Sequence, residues 1–160
     1  MTTHPPSEEP FEPDFVELMR EVFEQRIAFN RVLGFELTSF DAQRPSARIT
    51  MKPELIGHFL HQRLHGGVTS ATLDAIGGFA VMLALGQRHR DEPPATRAAR
   101  FAKVGTIDLR IDYLRPAVGP HFAATAQVLR LGSRVASTRM ELAASDGELV
   151  ATGSAAYIVS

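Results

Sequence analysis

HGGVTSATLDAIGGFAVMLAL, residues 65–85, is an almost wholly apolar segment that opens on paired glycines and carries one acid, Asp74. A helix of this composition has no polar face to give to water, so it belongs in a large core or in a membrane. Asp74, two threonines, a serine and the Gly77-Gly78 pair make the segment a poor membrane span. We therefore predict a buried helix around which the rest of the chain is organised.

The bulk composition restricts the class of protein. A chain of 160 residues with 44% hydrophobic residues fits one globular domain. The 17 basic and 18 acidic residues leave a formal charge of −1, which offers no general polycation for nucleic acid. The lack of cysteine excludes a thiolate nucleophile, a disulfide and a thiolate metal site, and it suits a cytoplasmic protein.

The N-terminal residues differ from the rest in composition. Residues 1–12 are rich in proline and glutamate, so we predict a disordered tail before a single domain at 13–160. Acids and prolines also occupy the place where a signal peptide has a basic start and an apolar run, so secretion is not expected. From Asp14, apolar residues recur at spacings of three and four, which predicts an amphipathic helix that ends before Gly34.

The remaining segments alternate in the manner of strands. Between residues 103 and 115 the alternation places Ile107 on one face and Asp108 on the other. The order of helix, two strands, buried helix and four strands predicts an α+β fold in which a curved antiparallel sheet wraps around the buried helix. The predicted strands are 35–40, 47–51, 103–115, 121–131, 134–144 and 149–159, with an exposed loop at 86–100.

Several separated blocks resemble one known family. HGG with an aspartate nine residues after its histidine, followed by TIDLRIDYLRPA (106–117) and DGELVATGSAAY (146–157), resembles the PaaI-like acyl-CoA thioesterases of the hotdog fold. FNRVLGFEL (29–37), MKPELIG (51–57) and LRLGSRVA (129–136) look most like the YigI-type branch of that family. The resemblance covers roughly residues 28–159 and implies hydrolysis of medium- to long-chain acyl-CoA without a cofactor.

The buried helix carries the groups that thioester hydrolysis needs. Gly66 and Gly67 lie at its start, where backbone N–H groups lack intrahelical partners and can stabilise a developing oxyanion. Asp74 in apolar surroundings suits a general base for water or, as a second possibility, a nucleophile, and the sequence leaves both open. A structural Asp74, hydrogen-bonded to backbone, is the rival explanation.

Helix geometry constrains how these groups combine. Gly66 and Asp74 are eight residues apart, which is about 12 Å along a helix. A single thioester carbon cannot contact both groups of one helix. The two groups can act together only if two chains lie antiparallel, with Gly66 of one chain facing Asp74 of the other. This agrees with what the resemblance implies, two active sites at each hotdog dimer interface.

The resemblance also assigns helper residues. Thr106 matches a family Ser/Thr that holds the attacking water, although strand alternation puts it on the face opposite Ile107. His65 is expected to cap or orient the turn, with a contact to the ligand as an alternative. His58 occupies a position at which the family commonly has Asn, and it is a candidate donor. His58, His61 and His65 are not on one secure helix, so no metal is predicted.

The substrate's two ends need different surroundings. Coenzyme A carries phosphates, and guanidinium and ammonium groups suit them. For the acyl chain, the Gly77-Gly78 pair and the N-terminal helix with Phe15, Met19 and Phe23 are predicted to form or cap a tunnel. The predicted phosphate ligands are Arg97, Arg100, Lys103, Arg130 and Arg134.

Two other functions compete with hydrolysis. A non-catalytic hotdog protein that binds or senses acyl-CoA would differ only in releasing no thiol. A hydratase is disfavoured because its Asp–His pair has no counterpart near Asp74 in the sequence. We expect a homodimer, assembled further as a dimer of dimers, that acts on acyl-CoA in the cytoplasm.

Overall fold

The computed structural model describes residues 11–160 and contains four α-helices and eight strands within that range. The helices are α1 (Pro13–Arg20), α2 (Ala28–Leu33), α3 (Gly66–Arg88) and α4 (Pro94–Ala99). The strands are β1 (Glu36–Ser39), β2 (Ser46–Thr50), β3 (Ile56–His58), β4 (Arg63–Leu64), β5 (Gly105–Tyr113), β6 (His121–Leu131), β7 (Val135–Ala144) and β8 (Leu149–Ile158). A π-helical turn (Glu21–Arg26) and two 3₁₀ turns (Pro53–Leu55 and Arg100–Lys103) complete these elements.

Six strands form one antiparallel sheet in the order β1-β2-β6-β7-β8-β5, and α3 packs across it. A helix about 10–12 Å wide contacts β2, β5, β6, β7 and β8, which are spaced by about 4.8 Å each. It reaches all five because the sheet curves around it. The predicted α+β fold and the six predicted strands of the sheet are therefore confirmed.

The apolar composition of α3 follows from its position in this sheet. The helix is long and apolar enough to cross a membrane, but 67% of its most apolar 18-residue stretch is buried inside the fold. Ile76, Phe79 and Met82 have no exposed surface. The sheet therefore gives α3 the cover that its composition requires.

The predicted N-terminal helix is interrupted, which the apolar spacing did not reveal. The chain leaves the helical conformation at Ile27, whose N–H donates to the carbonyl of Val22 five residues earlier and closes the π-helical turn. The Asn30 side chain donates to the Phe23 carbonyl (2.9 Å) and so satisfies a group that the interruption leaves free. The segment ends, as predicted, at Gly34, which adopts a left-handed φ of 68°.

Two polar contacts fasten this N-terminal segment to the sheet. Glu24 accepts from the Leu37 N–H (2.8 Å), and Arg20 donates to the Leu37 carbonyl (2.8 Å) and to Glu24 (2.9 Å). Leu37 lies on β1, an edge strand whose free backbone groups need partners. Arg20 and Glu24 therefore fix α1 and the π-helical turn to β1, and they cover the edge of the sheet.

The prediction of an exposed loop at 86–100 was wrong, and the last two residues assigned to the tail have ordered positions. Residues 86–100 are not an exposed loop, because α3 continues to Arg88 and α4 buries Arg97 at 1% exposure. Arg97 pairs with Glu12 (2.7 Å), and Phe11 is buried, so these two residues are ordered parts of the fold. The rest of the predicted tail, residues 1–10, lies outside the described residues.

Candidate active site

The first turn of α3 is organised by His65. Its Nδ1 accepts a hydrogen bond from the Gly67 N–H at 2.8 Å, which makes His65 the N-cap of the helix. The Gly67 N–H is thereby occupied. Contrary to the prediction, it is not available to an oxyanion. No hydrogen bond within residues 11–160 engages the Gly66 N–H. Of the two predicted donors, Gly66 is therefore the one that remains free in the described chain.

Neighbouring elements hold this turn in place. The His65 N–H donates to the Leu55 carbonyl (2.8 Å), and Tyr113 donates its hydroxyl to the Gly66 carbonyl (2.8 Å). A Cβ on Gly57 would lie 2.7 Å from the His65 Cα, so the β3–β4 hairpin requires glycine there. This hairpin was not predicted from the sequence. His58 is exposed on β3, and no described hydrogen bond links its side chain to α3.

Two hydroxyl groups bind the carboxylate of Asp74. Thr106 on β5 donates to Asp74 Oδ1 at 2.8 Å. Tyr157 on β8 donates to the same oxygen at 3.2 Å and to the Asp74 carbonyl at 2.9 Å. Within residues 11–160, no hydrogen bond uses Asp74 Oδ2. The carboxylate is therefore oriented through one oxygen and presents the other, which is the arrangement that a general base or nucleophile needs.

A β-bulge brings Thr106 to Asp74. The pairing of β5 with β8 shifts between Thr106 and Asp108, so Ile107 has no partner residue. Thr106 thus pairs with Tyr157 and joins the inward face of Leu109 and Ile111, while Ile107 is 58% exposed. The predicted alternation, which put Ile107 on the inward face and Thr106 on the other, was wrong here. Strict alternation cannot anticipate an inserted residue.

Tyr157 is a site residue that was not predicted from the sequence. It occupies the inward face of β8, where the other side chains are as small as Ala155 and Gly153. Burial and, next, the neighbouring Asp74 carboxylate raise the pKa of Tyr157, so its hydroxyl stays protonated and donates. A Cβ on Gly77 would lie 2.3 Å from that hydroxyl oxygen, so Gly77 leaves room for it. A lone tyrosine on an otherwise small inward face was the signal for this contact.

A cleft of about 300 Å³ opens beside Asp74. Asp74 is half-buried at this cleft, and its neighbours on a partly exposed stripe of α3, Ser70, Ala71, Ala75 and Gly78, are small. The opposite wall comes from the N-terminal segment, which the sequence had predicted as part of a tunnel. The lining residues include Phe23, Ile27, Asn30, Ala75, Gly78, Phe101, Val104, Thr106 and Tyr157. The cleft therefore combines one polar end with mainly apolar walls.

The five predicted phosphate ligands divide into two groups. Arg97 is buried and paired with Glu12, and Arg100 bonds both oxygens of Glu92 (2.6 and 2.8 Å). The hydrogen bond from Arg100 lowers the pKa of Glu92, which keeps this pair charged. Arg97 is thus a structural residue, because its interior position and ion pair leave it unable to reach a surface phosphate.

Lys103, Arg130 and Arg134 remain exposed near the same end of the sheet as Thr106. Gly105 pairs with Ile158, which pairs in turn with Val135, so the turn that carries Arg134 lies two strands from β5. Arg88 donates to the Gly132 carbonyl (2.8 Å) and steadies that turn. The exposed cations therefore lie toward the end of the sheet that carries Thr106 and Tyr157, two residues that line the cleft.

Metal ligation has little support in the described part of the chain. Residues 11–160 contain no group of three or more His, Asp or Glu side chains placed to hold a metal ion. The rings of His58 and His61 lie 4.7 Å apart, but His65 uses its Nδ1 to cap α3.

Comparison with known proteins gives one consistent result. The family model described as "Thioesterase superfamily" matches residues 61–151. The chain is 35% identical, over 90% of its length and 93% of the relative, to the medium/long-chain acyl-CoA thioesterase YigI of Salmonella typhimurium, and the Escherichia coli protein of that name gives the same figures. A solved structure from Shewanella oneidensis, described as related to the thioesterase superfamily, is 38% identical with a TM-score of 0.84, covering 94% of this chain and 100% of that one.

Proposed function

The chain belongs to the thioesterase superfamily, and on that premise we propose that it hydrolyses medium- to long-chain acyl-CoA with Asp74 as the catalytic carboxylate. The observation that carries the proposal is the position of Asp74, oriented through Oδ1 by two hydroxyl donors at the mouth of an apolar cleft. The hydrophobic walls suit an acyl chain, and the names of the 35% identical relatives support that substrate class.

Asp74 Oδ2 either removes a proton from the attacking water or attacks the thioester carbon itself. In the first case the water oxygen enters the fatty acid directly and CoA leaves as the thiol. In the second case an acyl anhydride forms on Asp74 and is then hydrolysed. A single turnover in ¹⁸O-water tests the second case, because label in the Asp74 carboxylate can come only from water that attacks the Asp74 carbonyl of the anhydride.

The oxyanion donor comes from the other subunit in this proposal. Because Gly66 and Asp74 are about 12 Å apart on α3, the Gly66 N–H serves Asp74 of the partner subunit. Such pairing places Ser70, midway between them, at the two-fold axis of two antiparallel helices. The partly exposed stripe of small residues on α3 and the open edge of β5 support this dimer. His58, on the hairpin bound to the first turn, is a candidate second donor.

The exposed cations bind the CoA phosphates in this scheme. Lys103, Arg130 and Arg134 lie toward the end of the sheet at which Thr106 lines the cleft, and no described salt bridge occupies them. We further propose that dimers associate in pairs and that the enzyme acts in the cytoplasm, where acyl-CoA is made and used. Light scattering of the purified protein tests the assembly.

The substrate proposal is tested by thiol release from a series running from butanoyl- to octadecanoyl-CoA. The expected profile rises with chain length, since each methylene buried in an apolar cleft improves kcat/KM by about fourfold until the cleft is full. Binding of the whole series without thiol release would contradict hydrolysis and support a sensor. Release that is independent of chain length would contradict the acyl cleft.

A further inference from the structure

Phe101 lies between two cavities. On one side it lines the cleft that contains Asp74, together with Phe23 and Val104. On the other side it lines a second groove, of about 410 Å³, between the N-terminal segment and α4. The walls of the second groove are mainly apolar and comprise Leu18, Glu21, Val22, Arg26, Ala95, Ala98, Ala99, Phe101 and Ala102. Phe101 is thus a lining residue of both cavities.

The backbone around Phe101 keeps it in this dividing position. It belongs to the 3₁₀ turn Arg100–Lys103, and the residues that follow it face different cavities, since Ala102 lines the groove and Val104 lines the cleft. The Phe101 ring packs edge-on against Phe23 with centroids 5.6 Å apart. Arg100, its neighbour, is anchored by Glu92. One aromatic pair thus separates the two spaces.

We propose that Phe101 ends the acyl site and sets the longest chain that the enzyme hydrolyses efficiently. The inference rests on the proposed function, which puts the thioester carbonyl at Asp74 and the acyl chain along Ala75 and Gly78. A chain that grows inward from Asp74 meets the wall that Phe23 and Phe101 form. Beyond that wall lies more apolar space, which a longer chain would fill if the ring were absent.

The substitution Phe101→Ala tests this role. We expect kcat/KM for octadecanoyl-CoA to rise relative to decanoyl-CoA by about tenfold or more, because two or more additional methylenes become buried. Phe101→Leu, which disturbs the fold less, should shift the profile in the same direction by a smaller factor. Melting temperatures identify any variant that fails to fold. A profile of unchanged shape for folded variants would overturn the proposal.

A second substitution tests whether the gain comes from the groove. Ala95 is exposed on α4 and lines only the groove, so Ala95→Trp fills that space without touching the cleft. In the Phe101→Ala background it should restore the original upper limit of chain length. In the wild-type background it should change nothing, because Phe101 already excludes the chain. If the double variant still hydrolysed the longer acyl chains, the claim that these chains enter the groove in Phe101→Ala would be contradicted.

The matched control is Phe40→Leu. Phe40 and Phe23 both pack edge-on against Phe79, at 5.1 and 5.2 Å, but Phe40 does not line the cleft. The control should lose stability and keep its chain-length profile. A wild-type enzyme that releases no thiol from any acyl-CoA contradicts the proposed function, whereas hydrolysis with an unaltered limit in Phe101→Ala contradicts only the role of Phe101.

Discussion

The first turn of α3 and the turn around Asp74 belong to one helix, yet they are held in different ways. At the first turn, His65 binds the N–H of Gly67 two residues away and leaves the Gly66 N–H free. At Asp74, the hydrogen-bond donors come from β5 and β8, 32 and 83 residues further along the chain. The free Gly66 N–H thus depends on local contacts at the start of α3. The orientation of the Asp74 carboxylate depends on strands that approach it only in the folded sheet.

This difference determines how each end should respond to substitution. Changes at the first turn should act through one N–H and one cap, and they should leave the sheet undisturbed. Changes around Asp74 should affect contacts between α3 and two strands. Substitutions at both ends test whether the two ends contribute separately to one reaction.

Asp74→Asn should have the largest effect. The amide keeps the volume and can still accept from Thr106, but it can neither take a proton nor attack a thioester. We expect kcat to fall by about 10² to 10⁴-fold, the usual contribution of a general base, with little change in melting temperature. Thiol release and thermal unfolding measure the two quantities. Retained turnover would contradict the catalytic role.

Gly66→Pro removes the free N–H at the other end. Proline is well tolerated as the first residue of a helix, and His65 already has the extended conformation (φ −64°, ψ 136°) that must precede it. Loss of one oxyanion donor predicts a decrease in kcat of about 10² to 10³-fold.

Gly66→Ala is the matched control for this substitution. It keeps the N–H, and its Cβ would lie at an ordinary 3.5 Å from Tyr113. Equal losses for alanine and proline would show that the side chain, not the N–H, causes the defect.

Thr106→Val tests the hydroxyl that orients Asp74. Valine matches the shape of threonine on a strand but donates no hydrogen bond to Oδ1, so kcat should fall by roughly tenfold, the order expected for a bond to a charged group. Thr106→Ser retains the hydroxyl and should recover most of the activity. A serine variant as impaired as valine would assign the effect to packing at the bulge.

His65→Ala should produce the smallest loss. It removes the side-chain cap on Gly67, which costs about 1 kcal/mol of the free energy of unfolding. Activity should decrease less than in Gly66→Pro, since the Gly66 N–H remains. Chemical denaturation and thiol release measure these effects. A collapse of activity equal to that of Asp74→Asn would instead indicate that His65 contacts the reacting group.

The sequence allowed good prediction of whatever depends on local pattern. The composition of residues 65–85 predicted a covered helix, and alternation located the six strands of the sheet. Prediction failed where a single residue interrupts the regular pattern of a strand or a helix. The bulge at Ile107 reversed the face of Thr106, and the extended conformation at Ile27 divided a helix whose apolar spacing was continuous.

Contacts between distant residues were the other source of error. Arg97 was predicted at the surface because its neighbours are polar, but the packing of α4 buries it and its ion-pair partner, Glu12, lies 85 positions earlier. Tyr157 and Asp74 are likewise separated by 83 positions. Neither pairing has a signal in hydropathy, because both depend on which strands and helices pack together.

Mixing two inactive variants tests directly whether each active site is shared between two subunits. If each site combines Gly66 of one subunit with Asp74 of the other, a heterodimer of Asp74→Asn and Gly66→Pro contains one site with both groups intact. Random exchange of equal amounts makes about half of the dimers heterodimers. The mixture is therefore predicted to recover roughly a quarter of wild-type thiol release. Activity that stays at the level of the separate variants, after exchange has been verified, would contradict the shared site.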